Sequence, residues 1–87
     1  MAAEERVGTV TDYFAKIGVA AIRLSDGALR VGDQIRIHGH TTDLTQPVES
    51  LELDHKPVEV AAQGTEVALK VRERVRPHDA VSRLREG

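Results

Sequence analysis

The feature that most narrows the possible folds is an alternation with a period of two. From Gln34 to His38, Ile35 and Ile37 alternate with Gln34, Arg36 and His38, so an extended chain here has one apolar side and one wet side. Leu51 and Leu53 alternate with Glu52 and Asp54, and Val67, Leu69 and Val71 with Glu66, Ala68, Lys70 and Arg72. No stretch sustains the three-and-four spacing of an amphipathic helix. The chain therefore reads as short strands. A chain of 87 residues buries only about 60% of its unfolded surface, enough for one core and not two.

Turn chemistry divides the strands. Six are predicted, over residues 6–14, 17–24, within the stretch 29–43, where a turn feeds a strand that ends in a polar loop, and over 44–54, 65–72 and 80–85. Gly8 marks a bulge or a close backbone approach in the first. Asp26-Gly27 reads as a tight hairpin turn with positive φ values. In Val31-Gly32-Asp33 the glycine relieves strain and the aspartate bonds backbone beyond it. Val48 is out of phase with the leucines after it, which predicts a bulge near Glu49 and Ser50. Residues 55–64 read as a loop with one helical turn, since Pro57 cannot donate to a ladder, and residues 76–79 as a turn. Residues 1–5 are expected to be a flexible terminus and residues 6–87 a single domain, all-β, closed into a small six-stranded β-barrel.

Composition excludes several functions. Without cysteine there is no disulfide framework and no thiolate chemistry, which fits a reducing cytoplasm. The acidic N-terminus has no long apolar run, so neither a signal peptide nor a membrane span is expected. A net charge of −2 and only two aromatic residues, Tyr13 and Phe14, disfavour generic nucleic-acid binding. No phosphate-cradling glycine loop is present, so the chain alone is not expected to bind or hydrolyse nucleotides. No paired acid and base, nucleophile motif or cofactor site can be argued, and an enzyme is not expected.

A family resemblance attaches to particular residues. Val7-Gly8-Thr9-Val10, Leu29-Arg30-Val31-Gly32-Asp33-Gln34-Ile35 and Val48-Glu49-Ser50-Leu51 resemble the second domain of elongation factor Tu and related translational GTPases. Gly39-His40-Thr41-Thr42-Asp43 and His55-Lys56-Pro57-Val58-Glu59 are similar to the stand-alone translation elongation factor-like proteins. The resemblance implies a six-stranded Greek-key barrel and a role in translation. It brings no site residues. Similar barrels also stand at the C-terminal end of collagenase-like peptidases, so the fold alone does not fix the work.

Two stretches are candidates for contact. His38, His40, Thr41, Thr42 and Asp43 crowd polar groups at the end of a strand; they fit a rigid polar turn bonded to nearby backbone, or a loop that meets a partner. With His55 they offer metal donors, but Gly39 turns the chain between the two histidines and the set does not specify a metal site. Lys70, Arg72, Arg74 and Arg76 fall at alternate positions, and half of the twelve Lys and Arg residues lie from Lys70 onward. If the strand continues, these four form a ladder that contacts RNA, tRNA or a protein of the translation machinery. Alternatively, they pair with the acidic stretch from 43 to 59. The expected function is a non-catalytic binding module of translation; the alternative is a protein-interaction barrel that docks onto a separate enzyme.

The inside and outside assignments can be checked directly. Ile37→Asp should unfold the protein or nearly so in a urea titration, because a buried unpaired charge costs several kcal/mol against a total of about 5–10 kcal/mol. Arg36→Ala should cost far less. Equal tolerance at both positions would show the faces to be misassigned.

Overall fold

The structure, a computed structural model, describes residues 2–86 and is all-β, with no helix among the described residues. Ten strands form in place of six: β1 (Ala2–Phe14), β2 (Val19–Arg23), β3 (Leu29–Arg30), β4 (Gln34–His38), β5 (Asp43–Pro47), β6 (Leu51–Leu53), β7 (Lys56–Val58), β8 (Val60–Ala61), β9 (Glu66–Lys70) and β10 (Ala80–Glu86). Eight of them make one antiparallel sheet in the order β5-β4-β10-β1-β2-β9-β6-β7, and β3 and β8 form a separate ribbon. β1 starts at Ala2, so residues 2–5 pair with β10 instead of standing outside the domain.

The sheet wraps around a single core. Ile35 and Ile37 from β4, Ile22 from β2, Leu69 from β9, Leu51 from β6 and Val81 from β10 all belong to one buried cluster. The burial of Ile35 and Ile37 against exposed Gln34 and His38 follows the alternation. Two bulges in β1, after Arg6 against β10 and after Val10 against β2, let this long strand bend from one neighbour to the other. Gly8 is needed there because a Cβ would collide with the Arg23 carbonyl oxygen.

The expected closed barrel is corrected, because no ladder joins β5 to the far end of the sheet. Gly32 N–H donates to Val48 O at 2.9 Å and Val48 N–H to Asp33 O at 2.8 Å, which carries the β4–β5 pairing one residue further. A single side chain bridges β5 to the end of β9. Gln46, 1% exposed, donates through Nε2 to Lys70 O at 2.8 Å, while its Oε1 accepts Arg72 N–H at 2.8 Å. One carboxamide thus stands in for a strand pair.

Several local expectations also change. Gly32 adopts φ +100°, as its turn requires, but the Asp33 carboxylate accepts the N–H of Arg30 before it, not backbone beyond it. Asp26 and Gly27 both keep negative φ. Their N–H groups donate to Val7 O at 3.0 and 3.2 Å, filling an acceptor that the bulge frees, so no β2–β3 hairpin forms. Residues 55–64 hold β7 and β8 in place of a helical turn. Asp54 and His55, at φ 52° and 64°, make the two-residue β6–β7 connection without a glycine.

Replacing Gln46 by Leu keeps its bulk but strands the Lys70 carbonyl and the Arg72 N–H, and should cost about 2 kcal/mol in urea unfolding. Thr45→Ala, on the exposed side of the same strand, should stay within about 0.5 kcal/mol of wild type. Equal stability of the two variants would mean that the carboxamide is not a closing element.

Candidate docking surface

The loop singled out by sequence is a tight β4–β5 hairpin. His38 and Asp43 are its last paired residues, and Gly39 N–H donates to Thr42 O at 2.8 Å. A Cβ on Gly39 would collide with the Asp79 carboxylate, which is itself buried and accepts the Arg76 N–H at 2.9 Å. Thr42 is buried as well. His38, His40 and Thr41 are exposed. Among the described residues no three His, Asp or Glu side chains converge as metal ligands.

Asp43 is exposed and is held on the sheet surface by an ion pair. Arg36 holds it through Nε–Oδ1 at 2.9 Å and NH2–Oδ2 at 3.0 Å, and reaches Glu4 at 3.0 Å. This reach crosses β10 at Ser82, the residue opposite Arg36, where a short side chain leaves room. The Arg36 hydrogen bonds hold the Asp43 carboxyl below the usual carboxylate range, against a smaller opposing effect of burial and with help from the charges of Arg36 and His38. Asp43 and Glu4 in turn make Arg36 still harder to deprotonate.

The basic ladder does not form, because β9 ends at Lys70. Val71 N–H turns to Gly18 O at 2.9 Å, Arg72 N–H to Gln46, and Val75 is buried. Residues 70, 72, 74 and 76 therefore do not line one strand face. Arg72 pairs with Glu49 at 3.1 Å, as the internal-pairing alternative anticipates. Farther along, Arg83 and Arg85 share Glu5 at 2.8 and 3.0 Å. Lys70, Arg74 and Arg76 remain exposed.

What the structure does expose is apolar. Among the described residues, Phe14, Ile17, Val31 and Val60 are the exposed large apolar side chains. Val60 lies on β8 and Val31 in the turn just after β3, in a shallow depression bordered by Arg30 and Glu59. Phe14 belongs to a wider face. It is paired with Val19, which is paired with Lys70; the next rung inward, Tyr13–Ala20–Leu69, points to the core. Side chains alternate across a sheet, so Phe14, Val19 and Lys70 share the outer face. Two residues on, Asp12, Ala21, Ala68 and Glu52 form a four-strand rung on that same face. Depressions lie on either side of it, and Glu52 and Ala68 border both.

Sequence reasoning missed this surface for identifiable reasons. Tyr13 and Phe14 are both apolar, so alternation cannot say which one faces out. Val31 is hidden within a turn motif, and Val60 within a stretch broken by Pro57.

Comparison with known proteins changes the functional reading. No family model matches the chain. A collagenase of Porphyromonas gingivalis is 38% identical over 79 residues, covering 90% of this chain and 22% of that protein. An uncharacterized protease of Methanocaldococcus jannaschii is 38% identical over 81 residues, covering 92% and 20%. The chain thus spans about a fifth of the length of these relatives. Among solved structures, the C-terminal domain of a Geobacillus thermoleovorans "putative U32 peptidase" superposes with a TM-score of 0.84 over 91% of both chains. Its selenomethionine variant gives 0.83. At 22% identity that likeness establishes a shared fold.

These findings correct the assignment to translation. The relatives are a collagenase and a protease, not elongation factor domains, so the translation module reading through residues 38–43 or the basic residues is set aside. The residues that suggested it, Val31-Gly32-Asp33 above all, serve a turn that β-domains of different function can share.

The hairpin is best tested as structure. In Arg36→Ala, the NMR titration midpoint of Asp43 should rise to the ordinary aspartate range. In the wild type this pair stabilises the fold above the unfolded-state pKa, and its contribution fades as pH falls through the depressed folded value. The variant should lack that part of the acid-side loss. An unchanged Asp43 midpoint would show that Arg36 does not set it.

Proposed function

We propose that the domain is a non-catalytic, all-β accessory domain that docks onto the catalytic part of a peptidase. The observation that carries this reading is the alignment of nine-tenths of the chain with only a fifth of a collagenase and of a protease. Most of each relative lies outside the matched segment, and that remainder is where the reading places the chemistry. The fold shared with a peptidase C-terminal domain supports it.

The surface of the domain suits docking better than catalysis. Its depressions are shallow and bordered by mixed apolar and charged side chains. Exposed apolar groups on a rigid sheet are what association buries.

Capture of the tagged chain from its native cells, followed by mass spectrometry, should recover a peptidase chain in a fixed ratio, and nuclease treatment should leave the complex intact. Recovery without a peptidase, or a complex that nuclease disperses, would contradict the proposal.

A further inference from the structure

We infer that the outer face of β1, β2 and β9 around Phe14 is the surface that seats on the catalytic part. We further infer that its seat is an apolar pocket bordered by carboxylates at the Lys70 end, with a cation over the alanine rung. This inference rests on the docking function proposed above and adds the face and the chemistry of the partner.

Three observations converge on this face. Phe14 and Ile17, joined by a backbone bond across one turn, are 46% and 65% exposed, and exposed aromatic side chains are frequent interface anchors. Lone apolar side chains on a surface are ordinary. Here, however, the anchor runs on into Val19, Ala21 and Ala68 along two adjacent outward rungs.

The anchor is also held in place before any partner arrives. Ile17 and Gly18 N–H both donate to Phe14 O, at 3.2 and 2.9 Å, and Gly18 O accepts Val71 N–H. The next residue, Arg72, is fixed by Gln46. A tip ordered by these bonds loses little freedom on binding.

The sign of charge changes from rung to rung along the face, and Lys70 and Glu52 border one depression. Lys16 and Lys70 flank the anchor, whereas Asp12 and Glu52 close the two ends of the alanine rung. Asp54 and Glu66 border the depression beside Glu52, and Glu66 accepts a bond from Thr11 Oγ1 at 2.8 Å. Arg23, opposite Glu66, is the one cation at that end of the rungs described. A partner must therefore bring anions to the Lys70 end and a cation to the alanines, which fixes its orientation. The two alanines keep the floor low, so an inserted side chain can approach the backbone. The depression beside the β3–β8 ribbon offers only two valines between Arg30 and Glu59, without an aromatic anchor.

The test measures binding of purified variants to the purified peptidase chain recovered in the capture experiment. Phe14→Glu and Ile17→Glu should each weaken binding by about 30-fold or more. Lys70→Glu should weaken it about fivefold and blunt its salt dependence. Val60→Glu should bind as wild type, and circular dichroism should show every variant folded. Loss of binding in Val60→Glu with retention in Phe14→Glu would overturn the choice of face and leave the docking function standing. Failure of the wild type to bind any peptidase would overturn both. A dimer of this chain that Phe14→Glu dissociates in light scattering would show that a second copy, not the peptidase, covers the face.

Discussion

The Gln46 carboxamide decides how this sheet ends. An antiparallel sheet curled around one core brings backbone groups near each other at its margins, and those groups need partners once water is excluded. A further strand pair is the usual solution. Here a single buried side chain supplies both a donor and an acceptor, to Lys70 O and Arg72 N–H. The chain can then leave β9 at Lys70.

That departure has consequences on both sides. Beyond Lys70, Val71 bonds to Gly18, which braces the turn that presents Phe14 and Ile17. Arg72 swings to Glu49, and Val75 enters the core. The same clasp thus disperses the basic residues and orders the apolar tip. A surface that looks cationic in sequence becomes, in three dimensions, an apolar face with charges of both signs.

The sequence was most legible where local chemistry governs. Alternation placed Ile35, Ile37, Val67 and Leu69 inside, Gly8 marked its bulge, and Gly32 its positive φ. It was least legible where one distant group decides. The spacing of 70, 72, 74 and 76 still alternates after the strand has stopped: the β2–β9 ladder ends at Val19–Lys70, and the Arg72 N–H goes to Gln46, far away in sequence. The β6–β7 connection carries no glycine, and Asp54 and His55 accept positive φ under the constraint of the flanking pairs. Among the candidate site residues, Thr42 proved to be buried and Asp43 to be held by Arg36. Phe14 went unchosen because its neighbour Tyr13 is equally apolar.

The turn motifs that suggested translation answer to the geometry of strand connections, whereas the relatives with matching sequence are a collagenase and a protease. Function must therefore be sought on the surface and not in the scaffold. The most direct measurement is a map of amide chemical-shift changes on the isotope-labelled chain as its peptidase partner is added. Changes should concentrate at residues 12–21, 52 and 66–72. A map centred instead on Arg30, Val31, Glu59 and Val60, or on residues 38–43, would contradict the account.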